Sequence, residues 1–400
     1  MKRVPVSEAA EVNPRMPSEL RSGADFAASF VGMADVSERG FVVAYQPRPL
    51  SELLKGYTFF RRGDVLSAKI TPCMQNGKAA VTDNMPTEFG FGSTEFHVLR
   101  AKPHTDPRYL FHMIWSPFFR QSAESSFTGT GGQQRVPTDF FGRFEIPLPP
   151  LPEQRRIAAI LDQADGVRRK RQAALALTDQ FLRSTFLEMF GDPALNSKNW
   201  PLVKINDVLD ESRGGVRCGP FGTALQKSEY TSSGIPVWGI DNIKPDDFVE
   251  NGCLYIAPSK YPALDAYRVD QGDILISRAG TVGRMCVATP SSSHSIIGTN
   301  LIRMTLNRGI VVPEYVAALF TFFPDRVARL RANAKPDAYS FMKTGELRDT
   351  SIQLPSFEKQ KQFRAVKSFT GGTKQKMVDG LDAANRAFDS LVYRAFRGEL

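Results

Sequence analysis

Nothing in these 400 residues is apolar for long enough to cross a bilayer; no hydrophobic run approaches the ~20 residues that a spanning helix needs. The chain opens on the basic pair Lys2 and Arg3, but no apolar core follows them. That excludes a secretory signal and predicts a cytoplasmic protein with no membrane partner. The four cysteines, Cys73, Cys218, Cys253 and Cys286, never fall at C-x2-C spacing, so neither a zinc site nor a disulfide framework is expected. The four histidines are scattered as well. His104 and His112 stand eight apart, too far for the i, i+4 pair of a helical metal motif. Also missing are a phosphate-cradling glycine loop, a nucleophile elbow and a clear pair of carboxylates. The sequence therefore assigns no catalytic residue, no metal and no cofactor.

What is present begins with charge. Lys and Arg number 51 against 42 Asp and Glu, a formal net charge of +9. The surplus is spread along the chain, which points to folded basic surfaces and an anionic partner, most simply nucleic acid. Hydrophobic residues make up 42% and charged residues 23%, an ordinary globular balance at a length that allows two or more domains.

The chain also repeats itself. YTFFRRGDVLSAKITPCMQNGKAAVT (57–82) and YRVDQGDILISRAGTVGRMCVAT (267–289) share a Gly-Asp pair, a strand-like apolar run, a glycine-containing turn and a second apolar run. The pattern reads as a β-hairpin in each copy. Gly63-Asp64 and Gly272-Asp273 are 209 positions apart, Leu148-Pro149 and Leu354-Pro355 are 206 apart, and QFLRSTF (180–186) and SLVYRAF (390–396) are 210 apart. Near-equal offsets at three distant landmarks make one long duplication. Each copy holds a strand-rich part, an extended proline segment and a long helix. Gly191, Pro193, Asn196, Ser197 and Pro201 mark a linker between the copies.

The first helix is expected to start at Glu153, with Pro152 at its entry where a missing N–H costs nothing. Heptad spacing puts Ile157, Leu161, Leu175 and Leu182 on its seam, interrupted by Arg168 and Arg171. The second helix offers Met377, Leu381, Phe388 and Leu391. A helix of ~37 residues spans about 55 Å, and a seam this narrow needs another helix against it. Pairing the two within the chain gives an antiparallel intramolecular coiled coil and an approximate two-fold relation between the copies. Gly371-Gly372 weakens the second helix pattern. The basic run Arg168 to Arg171 is open to two readings, a contact to phosphates or a solvated helix face.

Side chains suited to nucleic acid cluster in the strand-rich parts. Lys69, Asn76 and Lys78 surround the first hairpin, and a glycine-rich loop (125–144) carries Gln133, Gln134 and Arg135. Gln and Arg make bidentate contacts to adenine and guanine edges. A plain solvent loop with glycines for its turns fits the same composition. In the second copy the counterparts are Arg278, Arg284, Lys335, Ser340 and Lys343. Asp64 and Asp273 recur in both copies and read as turn residues entering a strand.

GDVLSAKITPCMQNGKAA, GSTEFHVLR (92–100), IPLPPLPEQRRIAAILDQAD (146–165), MFGDP (189–193) and RAFRGEL (394–400) together resemble the specificity subunit of type I restriction-modification systems. The likeness runs through both copies; QLPSFEKQKQF (353–363) is a worn version of the proline block. It implies an α+β, pseudo-two-fold chain. Residues 1–145 and 192–352 would be two target recognition domains. Residues 146–191 would be the proline joint and spacer helix, and residues 353–400 the second long helix. It further implies a non-catalytic subunit that reads a bipartite double-stranded DNA target. Such a subunit binds two methyltransferase subunits, which use S-adenosylmethionine, and associates with two restriction subunits, which hydrolyse ATP. Two other classes compete on the residues alone: a DNA-modifying enzyme with an unrecognised site, and a coiled-coil scaffold whose globular parts bind proteins.

Overall fold

The computed structural model describes residues 2–22, 26–280, 282–323 and 342–400. Two compact units emerge, one of residues 1–172 with 379–400, the other of residues 173–378. The fold is α+β, and two long helices, Leu151–Phe190 and Phe357–Ala395, each contribute to both units.

The first unit holds β1 (Arg3–Pro5), β2 (Ala10–Val12), β3 (Ala27–Val31), β4 (Gln46–Pro49), β5 (Thr58–Arg61), β6 (Val65–Ala68), β7 (Ala79–Val81), β8 (Phe89–Gly92), β9 (Phe96–Ala101) and β10 (Glu145–Pro147). They form a four-stranded antiparallel sheet in the order β2-β9-β6-β7, a second sheet in the order β4-β3-β8-β5 with β3 and β8 parallel, and the antiparallel pair β1-β10. The Gly-Asp run becomes the β6-β7 hairpin. All four residues of β6 are buried, and alternation along the strand explains how. Val65 enters one cluster with Leu99 and Tyr109, whereas Leu66 enters another with Phe60 and Val98. A sheet covered on both faces needs an unbroken apolar run rather than an alternating one.

The second unit repeats this plan. Its strands are β11 (Leu202–Lys204), β12 (Val216–Cys218), β13 (Tyr230–Thr231), β14 (Ile235–Trp238), β15 (Ile243–Lys244), β16 (Asp247–Phe248), β17 (Leu254–Ile256), β18 (Ile274–Ser277), β19 (Met285–Val287), β20 (Ile296–Ile297), β21 (Leu301–Met304) and β22 (Ser351–Gln353). The order β12-β21-β18-β19 matches β2-β9-β6-β7, and β11-β22 matches β1-β10. The remaining four-stranded sheet diverges, and the second unit adds the antiparallel pair β15-β16. Both copies keep a parallel pair, β3-β8 and β14-β20, but the first adds β5 beside β8 while the second adds β13 beside β17 at the opposite edge.

Within each unit the long helices run antiparallel. In the first, Arg156 donates to the Leu400 carbonyl at 2.8 Å, and Arg168 lies 4.1 Å over the Phe388 ring. In the second, Asp179 pairs with Lys374 at 2.7 Å, and the Phe186 and Phe363 rings are 5.4 Å apart. Residue numbers rise on one helix as they fall on the other. Ile157, Leu161, Leu182 and Phe388 are buried, and Leu175, Met377, Leu381 and Leu391 are half-buried. Arg168 does not interrupt the seam; it caps it, with its cation over Phe388 and an ion pair to Asp165 at 3.1 Å. The Arg171 guanidinium rests against Gly380, which has no side chain to displace it.

The first helix starts at Leu151 rather than Glu153, because Pro152 is tolerated within a first turn whose N–H groups have no helical partner. Gly371-Gly372 leaves the second helix unbroken. The proline segment is no free spacer, since Ile146 and Pro147 pair with Val4 and Arg3 in β10-β1. The repeated glutamine then locks the joint. Gln154, fully buried, accepts from the Asp106 N–H at 2.8 Å and donates to the carbonyls of His104 and Pro149 at 2.9 and 2.8 Å. Gln360, equally buried, accepts from the Val312 N–H at 2.9 Å and donates to the Pro355 carbonyl at 2.8 Å. Asp106 and Val312 cap the helices Pro107–Trp115 and Pro313–Phe322, so in each unit one amide ties the long helix to the helix that covers the sheet.

Candidate nucleic-acid interface

Strands β6 and β18 are each followed directly by a basic residue at equivalent positions, Lys69 and Arg278. The Lys69 N–H donates to the Glu95 carbonyl at 2.9 Å and its carbonyl accepts from Val136 at 2.9 Å. The Arg278 N–H donates to the Asn300 carbonyl at 2.8 Å and its carbonyl accepts from Met342 at 3.4 Å. One backbone frame therefore recurs in both units, and the residues that lead into it, before Val136 and before Met342, differ in sequence.

In the first unit those residues form a narrow hairpin. Thr128 and Arg135 exchange backbone hydrogen bonds at 3.0 and 2.9 Å. Gly129, Gly131 and Gly132 at its tip all have positive φ (111°, 53° and 37°), which the missing Cβ permits. Thr71 holds one side of the tip. Its N–H donates to the Gln134 carbonyl at 2.9 Å, its hydroxyl donates to the Gly132 carbonyl at 2.8 Å and accepts from the Gln134 N–H at 3.1 Å. Arg135 holds the other side through Glu95, with Nε and Nη2 each 2.9 Å from a carboxylate oxygen. That hydrogen-bonded pair keeps the Glu95 carboxyl below the usual carboxylate range. Beneath the hairpin, buried His97 bonds the Val136 carbonyl through Nε2 at 2.8 Å and Asn13 through Nδ1 at 3.2 Å. A carbonyl partner makes Nε2 the donor and leaves Nδ1 to accept, so the ring is satisfied when neutral. Burial pushes its pKa down to about 4.

This frame sorts the sequence candidates. Gln133 and Gln134 are exposed at the hairpin tip, and Lys69 is half-buried at its base. Arg135 spends its guanidinium on Glu95 and on the Gln133 carbonyl, 3.0 Å away. Asn76 is exposed and donates to Glu38 at 2.9 Å. Lys78 and Arg284 are equivalent, and both donate to a backbone carbonyl, that of Met33 at 2.9 Å and that of Ile243 in β15 at 3.2 Å. Arg278 is half-buried; Lys343 is exposed and 3.4 Å from Glu346. Lys335 and Ser340 lie outside the described residues. Sequence reasoning gave no role to Thr71, Glu95 and His97, which hold the loop, although GDVLSAKITPCMQNGKAA contains the first and GSTEFHVLR the other two.

Asp64 and Asp273 do sit in turns, accepting from the N–H groups of Arg61 and Asp270 at 2.7 and 2.8 Å. They are also buried and ion-paired, Asp64 with Arg100 at 2.8 Å and Asp273 with Arg213 at 3.1 Å. The basic run divides. Arg168 and Arg171 pack at the helix pair, Arg169 joins Asp165 at 3.0 Å, and Lys170 is exposed. Among the described residues no group of three His, Cys, Asp or Glu could hold a metal ion, and no helix is long and apolar enough to cross a membrane.

A family model, the type I restriction modification DNA specificity domain, matches residues 43–175. The EcoAI specificity subunit of Escherichia coli is 40% identical over 152 residues, 37% of this chain, and the EcoEI specificity subunit is 39% identical over 157. These matches span only 25% and 26% of the two relatives' own length. The EcoKI specificity subunit of E. coli K12 is 23% identical over 84% of this chain and 76% of its own. Among solved structures, the type I restriction-modification S subunit from M. genitalium aligns with a TM-score of 0.57 over 99% of this chain and 96% of its own, at 15% identity. A chain from a structural study of complex assembly and conformational transition of the type I R-M system aligns with a TM-score of 0.56 over 100% and 98%, at 20% identity. At such identity the structural likeness establishes the fold.

Proposed function

We propose that this chain is a type I restriction-modification specificity subunit and the reader of a bipartite double-stranded DNA target, a reading supported by its likeness to the specificity domain and to the EcoKI specificity subunit. The carrying observation is the repeated frame at Lys69 and Arg278, next to which the two copies differ in sequence. A scaffold kept twice with its loops diverged fits two half-sites of different sequence. Phosphates would supply most of the affinity through the basic surplus, and loop side chains the base readout. Gln133 and Gln134 are the foremost readers of one half-site, since their amides match the adenine edge. The domain limits proposed for the two readers are 1–145 and 192–352.

Catalysis would belong to partners: two methyltransferase subunits and two restriction subunits in a cytoplasmic complex. The chain itself would supply recognition and a docking frame. The test is binding and turnover by the purified full-length chain. Duplex binding should weaken with a linear dependence of log K on log salt, and neither methylation nor cleavage should occur without partners. Turnover by the isolated chain, or duplex binding indifferent to salt, contradicts the reading.

A further inference from the structure

We propose that Thr71 is a specificity-determining positioning residue, which sets the register of the Gly131–Gln134 tip against the target bases. The inference rests on the DNA-reading role proposed above and deepens it. One residue makes three hydrogen bonds to the tip: backbone to Gln134, hydroxyl to the Gly132 carbonyl, and hydroxyl from the Gln134 N–H, at 2.9, 2.8 and 3.1 Å. A hydroxyl both donates and accepts, so no apolar side chain of the same shape replaces it. The tip needs such a clamp because Gly129, Gly131 and Gly132 leave its backbone with wide conformational freedom. An ungrafted tip of that composition would lose rotational freedom on binding and would present its amides in many orientations. Bidentate recognition of a base edge demands one orientation. The Arg135 guanidinium, held by Glu95, donates to the Gln133 carbonyl at 3.0 Å, whereas the Thr71 hydroxyl bonds both the Gly132 carbonyl and the Gln134 N–H and so fixes the two sides of Gln133 together. Thr71 itself need not touch DNA; it acts through Gln133 and Gln134.

The experiment compares Thr71→Val, Thr71→Ser, Gln133→Ala and Gln134→Ala in the full chain with its methyltransferase partners, reading modified adenines by long-read sequencing. Thr71→Val keeps the volume and removes both hydroxyl bonds; Thr71→Ser restores them. Thr71→Val should accept wrong bases at one half-site roughly ten-fold more often, with the other half-site unchanged, and Thr71→Ser should match wild type. If Thr71→Val abolishes modification, equilibrium binding of the purified chain to target and scrambled duplexes replaces it. The target-to-scrambled ratio should then fall about ten-fold for valine and hold for serine. A wild-type ratio for Thr71→Val, or a serine variant as relaxed as the valine one, overturns the proposal. Altered preference in the glutamine variants with none in Thr71→Val sinks this inference alone; no change in any of the four sinks the assignment of this loop as a reader.

Discussion

At the scale of single residues, buried polar side chains do the positioning, and two of them yield direct tests. His97 is held neutral, its pKa depressed from 6.5 to about 4 by burial. The unfolded chain therefore binds more protons than the folded one between those values. Stability from this group is complete above pH ~6.5 and is lost as pH falls toward 4, a total of about 3 kcal/mol. Hydrogen exchange in the β6-β9 core, measured at pH 7 and pH 4.5, should show that loss, and His97→Gln should flatten it; an equal acid loss in the variant contradicts the assignment. Gln154 makes a second case. Removing its amide leaves the Asp106 N–H and two carbonyls without partners in a fully buried joint. Gln154→Ala should cost about 2–4 kcal/mol by urea unfolding, and Gln360→Ala somewhat less, as it frees one donor and one acceptor. Both glutamines stood out in the sequence as a repeat landmark, but their physical role did not, because the partners that tie the joint to the covering helix, His104 and Asp106 for Gln154 and Val312 for Gln360, lie about fifty residues away. Thr71, Glu95 and His97 were illegible for the same reason: a clamp is a contact between distant segments, and periodicity records only neighbours.

Among the elements, the long helices were the most legible. Apolar spacing on a solvated helix is a local signal, and it named the seam from Ile157 to Leu391 before any contact was known. What it misjudged was arginine. A cation at a seam position reads as an interruption, yet a guanidinium covers an aromatic face well, and Arg168 does so over Phe388. Phe388→Ala should cost about 3–5 kcal/mol, visible as a lower melting midpoint; a change under 1 kcal/mol would show that the ring is not a packing centre. Gly371 and Gly372 give the opposite sign. A Cβ at either position meets nothing within 4 Å, and both lie inside an unbroken helix. Gly371→Ala and Gly372→Ala should each stabilise by about 0.5–1 kcal/mol. Destabilisation in urea melts would mean that something covers this stretch of helix. The strands were half legible. The β6-β7 and β18-β19 hairpins announced themselves by Gly-Asp and apolar runs, whereas the outer strands β5 and β13, which sit at opposite sheet edges, share no motif that betrays the change of order.

For the whole molecule, duplication is the fact from which the rest follows. Three landmark pairs at offsets of 206 to 210 predicted two copies of one unit, and the matched sheets β2-β9-β6-β7 and β12-β21-β18-β19 are those copies. If each copy reads one half-site, as proposed, common architecture with separate loops should make their specificities separable. The most direct test replaces residues 197–345 with the corresponding segment of a type I specificity subunit, keeps the partner subunits, and maps modified adenines by long-read sequencing. One half of the recognised sequence should change and the other half should persist unaltered. A change in both halves, or in neither, would contradict the account of two readers in one chain.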